Sequence, residues 1–247
     1  MVSLSIAQFN LVSSAFSFAI AVMGAATIFL FLERSRVAPQ YKTAVSISGL
    51  VTLIAFYHYW RIFESWEAAY VITEGGLQAT GKAFNDAYRY VDWLLTVPLL
   101  LVELILVMRL SREETFKQAT TLATLAALMV VLGYPGEISG DPGTRWQWWV
   151  LSMIPFSIIV YKLVVGLGNS ISSQPESVRG LVSSARTLTL LSWSFYPIVF
   201  IFPMIGIEGG AATTAVQVGY TIADIVAKAA FGVLIYFIAV RKTEANV

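Results

Sequence analysis

The sequence predicts an all-α membrane protein, a bundle of seven transmembrane helices with the N-terminus outside and the C-terminus in the cytoplasm. Three observations carry this reading. Mean hydropathy is +0.72, with 57% hydrophobic and only 13% charged residues, whereas a soluble domain usually carries about a quarter charged residues. Seven stretches are long and apolar enough to cross a hydrocarbon core of ~30 Å, which takes about 20 residues at 1.5 Å rise each. Basic residues are also unevenly shared between the two sets of connectors.

In order, the predicted spans are roughly 7–32, 43–63, 85–108, 118–134, 147–168, 183–206 and 213–240. The opening Met1-Val2-Ser3-Leu4 has no basic residue, and Ile6–Phe31 is too long for the ~7–15-residue apolar core of a signal peptide. It is expected to be a spanning helix. Connectors such as 33–40 and 135–144 are short and polar, no internal repeat is visible, and residues 1–247 form one expected domain. The longest connector, about Glu64 to Lys82, contains Gly75-Gly76 and is expected to form a turn or short hairpin.

Connectors 1–2, 3–4 and 5–6 and the tail hold eleven cations: Arg34, Arg36, Lys42, Arg109, Arg112, Lys117, Lys162, Arg179, Arg186, Arg241 and Lys242. The other side holds three, Arg61, Lys82 and Arg145. The positive-inside rule then sets the orientation. A net charge of +1 gives no reason to invoke nucleic acid. With no cysteine and one histidine, His58, disulfides, thiolate chemistry and histidine metal clusters are excluded.

Ionisable residues inside a span are expensive and tend to be functional. Here they are Arg89, Asp92 and Glu103 on the third helix and Asp224 and Lys228 on the seventh. Lys228 falls near mid-membrane, with Asp224 one turn toward the outside on the same face. Two readings stand side by side. The pair can be a buried ion pair that merely locks helices, or a desolvated amine able to form a Schiff base with an aldehyde, with Asp224 contributing to its counter-charge. Asp92 and Glu103 are eleven residues apart, ~16 Å along the axis and only ~20° around it, so both face one channel. Thr96 can hydrogen-bond the Asp92 carboxylate, and Arg89 can stabilise negative charge about one turn further out. Glu103 alone could snorkel to the interface. Together, a carboxylate on each side of a mid-membrane lysine suggests a proton relay.

The run Tyr88-Arg89-Tyr90-Val91-Asp92-Trp93-Leu94-Leu95-Thr96-Val97-Pro98-Leu99-Leu100-Leu101-Val102-Glu103 resembles the third-helix signature of microbial rhodopsins. Ala223-Asp224-Ile225-Val226-Ala227-Lys228 resembles their retinal-attachment helix, and Trp193-Ser194-Phe195-Tyr196-Pro197 the sixth-helix segment packed on the polyene. Ala55-Phe56-Tyr57-His58-Tyr59 is similar to the second helix of the proteorhodopsin and xanthorhodopsin branches.

The resemblance implies all-trans retinal bound covalently to Lys228 as a protonated Schiff base, in a prokaryotic plasma membrane. Asp92 would be the primary proton acceptor and counter-ion, and Asp224 the second counter-ion. Glu103 would be the cytoplasmic proton donor, and His58 would hydrogen-bond Asp92 and tune its proton affinity. Trp93, Trp193 and Tyr196 would sandwich the retinal, with Leu100, Pro197 and Ala227 also lining its site. The family's chloride pumps replace the counter-ion carboxylate with a neutral residue, and its sodium pumps place Asn and Gln at two of the positions held here by Asp92, Thr96 and Glu103. Neither pattern is present, which leaves a light-driven outward proton pump, not an enzyme, as the expected function. A sensory photoreceptor signalling through a partner protein is the alternative, against which the inner carboxylate Glu103 argues. Asp92 is expected to be ionised in the dark beside the positive imine, and Glu103 protonated because it is buried without a partner.

Leu100 is apolar where blue-absorbing relatives carry Gln, which implies green absorption. Trp149 occupies the position where some xanthorhodopsin-like relatives have a glycine that admits a carotenoid antenna, so no antenna carotenoid is expected. The resemblance also suggests a homo-oligomer, trimer or pentamer, with helices one to three at the interface. Glu64, Glu137 and Glu208 are candidates for proton release, although each reads more readily as a solvated loop charge than as a release group.

Overall fold

In a computed structural model of the chain, residues 3–245 are described. Met1, Val2, Asn246 and Val247, at the ends of the expected 1–247 domain, lie outside the described residues. Seven long helical rods run through it: α1 (Ile6–Glu33), α2 (Lys42–Ala69), α3 (Ala87–Met108), α4 (Arg112–Glu137), α5 (Pro142–Gly166), α6 (Glu176–Phe200) and α7 (Gly210–Glu244). Short connectors make neighbours antiparallel, and α7 packs back on α1 to close the ring. One end of the bundle carries an antiparallel hairpin of β1 (Tyr70–Thr73) and β2 (Gly76–Ala79), as expected between Glu64 and Lys82. Thr73 pairs with Gly76, whose φ of +108° is one that side chains rarely adopt.

The observed helices overrun most of the predicted spans, because hydropathy sees the apolar stretch and not its polar caps. At the start of α1, Ser5 Oγ accepts from the Gln8 amide while Gln8 Oε1 accepts from the Ser5 amide, at 3.2 and 2.9 Å. Ser111 caps α4 through the Glu114 amide at 3.2 Å. Asp141 caps α5 through the Thr144 amide at 2.7 Å, ahead of Pro142. The predicted end of the sixth span, 206, instead falls just past a short 3₁₀ turn, Phe202–Ile205, after α6 has finished.

Among the described residues, α1, α3, α4, α5 and α7 are long and apolar enough to cross a membrane on their own composition. That is five rather than the seven expected. α2 and α6 are as long but more polar, because part of their polarity is turned inward: Ser48, Thr52 and His58 on α2 and Thr189 and Ser192 on α6 are buried. Conversely Leu32, Leu191 and Phe116 are 68, 70 and 75% exposed. Buried polar groups and exposed apolar ones invert the pattern of a water-soluble protein.

Close approach matters where α7 crosses α2. A Cβ on Gly232 would meet Leu30 Cδ1 and Ser48 Cβ, each at 3.2 Å. Gly232→Val is expected to destabilise the bundle by about 1–3 kcal/mol through overpacking, read as a lower temperature for loss of helical circular dichroism. An unchanged transition would show that α7 can move away freely.

Candidate functional site

Lys228 lies where α7 departs from regular α-helix. Residues Ile225–Ala230 form a wider π-type turn, a feature often found at functional sites and one that the sequence did not reveal. The turn directs the Lys228 amine between two carboxylates. Nζ is 2.9 Å from Asp92 Oδ2 and 2.7 Å from Asp224 Oδ1, with all three side chains essentially unexposed.

The two carboxylates differ in their surroundings. Asp224 accepts from Tyr59 Oη at 2.7 Å, Tyr196 Oη at 2.6 Å and Trp93 Nε1 at 3.1 Å. Arg89 Nη1 stands 3.8 Å from its Oδ2. Neither oxygen of Asp92 takes a hydrogen bond, and Lys228 Nζ makes none of good geometry despite its two close ion pairs. Three helices thus hold Asp224, while Asp92 faces only the amine.

Two expected bonds to Asp92 are corrected. Thr96 Oγ1 donates to the backbone carbonyl of Asp92 at 2.8 Å, not to its carboxylate, because in a helix the carbonyl four residues back is the acceptor nearest a threonine hydroxyl. His58 does not hydrogen-bond Asp92. Its Nδ1 is 2.9 Å from the Ile54 carbonyl, which can only accept, so Nδ1 carries the proton.

Toward the hairpin end, Arg89 is 1% exposed. Its Nε donates to Asp86 Oδ1 at 3.0 Å, Nη1 to Tyr59 Oη at 3.1 Å and Nη2 to Gln217 Oε1 at 2.6 Å. Its guanidinium also stands 5.3 Å from the centre of the Tyr220 ring. Toward the opposite end, Glu103 is fully buried but has a partner, which the sequence reading missed: Ser48 Oγ donates to its Oε2 at 2.6 Å. Its Oε1 has none. Of the expected release candidates, Glu64 binds Trp60 Nε1 at 2.9 Å and Arg61 at 3.3 Å, Glu137 lies 3.6 Å from Arg145, and Glu208 is exposed.

A cavity reaches Lys228 and Asp224 between α3, α4, α5, α6 and α7. It is lined by all the side chains expected around a cofactor, namely Trp93, Leu100, Trp193, Tyr196, Pro197 and Ala227, and also by Trp149, whose Nε1 donates to the Pro197 carbonyl at 3.0 Å. Tyr196 stacks on Tyr220 at 5.6 Å, and Trp93 meets both edge-on at 4.9 and 5.6 Å. Such a chamber suits an elongated apolar group tethered to the amine. Among the described residues no cluster suited to a metal ion occurs.

Missed from the sequence were Ser48, Tyr59, Asp86, Gln217 and Tyr220. Gln217 and Tyr220 lie seven and four residues before Asp224, a helical spacing that could have found them. Ser48 carried no such local signal. Tyr59→Phe and Tyr196→Phe each remove one donor to a buried carboxylate and are expected to lower stability by about 1–3 kcal/mol, measured by thermal unfolding in detergent. No loss in either variant would mean that Asp224 finds replacement donors.

The family model for bacteriorhodopsin-like proteins matches residues 10–242. The green-light absorbing proteorhodopsin of Gamma-proteobacterium EBAC31A08 is 30% identical, over 91% of this chain and 84% of its own. The crystal structure of xanthorhodopsin, described as a light-driven ion pump with a dual chromophore, superimposes with TM-score 0.96 at 51% identity, covering 100% of this chain and 99% of its own. A thermophilic rhodopsin gives TM-score 0.96 at 44% identity with the same coverage. The apolar helices, the inverted burial pattern and these matches lead to one assignment: the chain is a membrane protein of the bacteriorhodopsin-like family.

Proposed function

We propose that the chain is a light-driven outward proton pump that carries retinal on Lys228. The observation that carries this reading is the Lys228 amine between Asp92 and Asp224 at the end of an aromatic cavity, with Glu103 buried further along α3. The fit rests on the unaligned polar atoms Lys228 Nζ and Asp92 Oδ1 and Oδ2 and on the apolar lining of the cavity. Retinal bound there supplies light absorption and an isomerisation that weakens the hold of the Lys228 nitrogen on its proton.

The chain's own residues do the rest. Asp92 receives the proton from the Lys228 nitrogen, since its oxygens have no competing donor. Asp224 stays ionised, because Tyr59, Trp93 and Tyr196 donate to its charged form. Glu103, held by Ser48 in a dry site ~16 Å along α3 from Asp92, returns a proton to the Lys228 nitrogen from the other side. Arg89 sits on the exit side beside Asp86 and Gln217 and keeps Asp224 company as an opposite charge. The excess of cations on one set of connectors supports an orientation with that exit outside and Glu103 toward the cytoplasm.

Cells supplied with all-trans retinal are expected to acidify their medium in light, with a protonophore abolishing the change; a sensor would show colour without transport. Asp92→Asn is expected to abolish transport, and continued acidification would overturn the assignment. Glu103→Gln is expected to slow return of the proton to the Lys228 nitrogen by about a hundredfold, read by flash spectroscopy. Lys228→Ala should leave no visible band.

Leu100 on the cavity wall supports green absorption, and a band peaking in the blue would contradict it. The Trp149 indole on the same wall supports the absence of a carotenoid antenna; energy transfer from an added hydroxylated carotenoid would contradict that. We further propose a homo-oligomer, trimer or pentamer, in a prokaryotic plasma membrane.

A further inference from the structure

A second buried lysine has no part in this scheme. Lys242, in the last turn of α7, is 2% exposed, although its neighbours Arg241 and Glu244 are exposed and pair with each other at 3.6 Å. A long cationic side chain at a helix end normally reaches for water. Lys242 instead turns inward, and among the described residues it forms no ion pair. Its Nζ donates to the Val107 carbonyl at 2.9 Å, to the Met108 carbonyl at 3.5 Å and, by a short contact, to Gln174 Oε1. Those carbonyls belong to the last turn of α3, where the helix dipole favours a positive charge.

Gln174 extends the arrangement. It is 6% exposed and lies in the connector between the short helix Gly168–Ser172 and α6. Its Nε2 donates to the Met108 carbonyl at 3.1 Å and the Ser170 carbonyl at 3.0 Å, and its own carbonyl accepts from Arg179 of α6 at 3.2 Å. Thr243, next to Lys242, accepts from the Ala38 amide at 2.9 Å, tying α7 to the α1–α2 connector as well. Immediately within the bundle, Leu104, Val107, Val182 and Ile238 form a dry layer, each 1% exposed or less.

Glu103 lies five residues before Met108, ~7.5 Å along the axis, and is fully buried. Its carboxyl therefore cannot take a proton from the cytoplasm while the inner ends of α3, α6 and α7 stay together. We propose that Lys242 and Gln174 form a polar clasp that closes the cytoplasmic entrance to Glu103 and sets how fast Glu103 is reloaded from bulk water. Both act through the position of α3, as positioning residues. This rests on the reading of Glu103 as the inner proton donor.

The test compares wild type with Lys242→Met and Gln174→Ala, reconstituted with retinal in lipid nanodiscs. Under flash excitation, the recovery phase that depends on bulk pH is expected to become about three- to tenfold faster, the kinetic equivalent of one lost hydrogen bond. Loss of the proton from the Lys228 nitrogen should keep its wild-type rate, and Lys242→Arg, which can donate to the same carbonyls, should restore slow recovery. In the retinal-free chain, amide hydrogen exchange over residues 105–110 should rise in both variants. Should Lys242→Met not fold, Gln174→Ala decides alone, since it keeps the cation. Wild-type recovery in a folded, coloured variant, even one with a lower melting temperature, would overturn the clasp alone. A wild-type protein in which the Lys228 nitrogen never loses its proton would overturn the pump reading and the clasp with it.

Discussion

A lysine amine and two carboxylates meeting away from water set the terms for everything around them. Removing one carboxylate or ammonium from water costs several kcal/mol even after relaxation, and mutual attraction offsets this only when the remaining lone pairs are satisfied. The chain meets that condition on one side only. Asp224 is bonded by α2, α3 and α6 through Tyr59, Trp93 and Tyr196, which fixes how those helices stand against α7. Asp92 has the amine and nothing else within bonding geometry. The asymmetry is one of bonding: one carboxylate is held by three donors, the other by none.

The same cluster explains the polarity of α2. A helix meant only to span lipid has no use for Ser48, Thr52, His58 and Tyr59, yet these line its inner face. Tyr59 serves the cluster around Lys228, and Ser48 serves Glu103. α2 thus touches both carboxylate centres through residues eleven apart, the spacing that also separates Asp92 from Glu103 on α3. Two helices with the same repeat run side by side, each presenting its polar groups at the same two levels.

Much of the site was legible because it obeys helical periodicity within one element. Asp92 with Glu103, and Asp224 with Lys228, are such cases, and the wide apolar stretches around them marked the helices. What stayed hidden belongs to other physics. The Ser48–Glu103 bond joins residues 55 apart in sequence, and no local pattern predicts which side chain a neighbouring helix will present. The π-type turn at Lys228 depends on how α7 packs, since Ile225–Ala230 contains no glycine or proline to mark it. Thr96 and His58 were placed on the right helices but given the wrong partners, because a backbone carbonyl one turn back was the nearer acceptor for each. The orientation of His58 is therefore set by its own helix.

The reach of solvent toward the cluster follows from these bonds. Arg89 lies against Asp86, whose side chain is 24% exposed, so the side of the cluster toward the hairpin is linked to solvent through a chain of polar contacts. Beyond Glu103 the corresponding region is filled by Leu104, Val107 and Ile238, with Lys242 and Gln174 above them. The Lys228 nitrogen therefore has a polar route toward solvent on one side and an apolar layer on the other. One side connected by polar side chains and one side closed by packing, with the Glu103 carboxyl buried behind the closure, is enough to make the two sides of the Lys228 cluster inequivalent without any moving part.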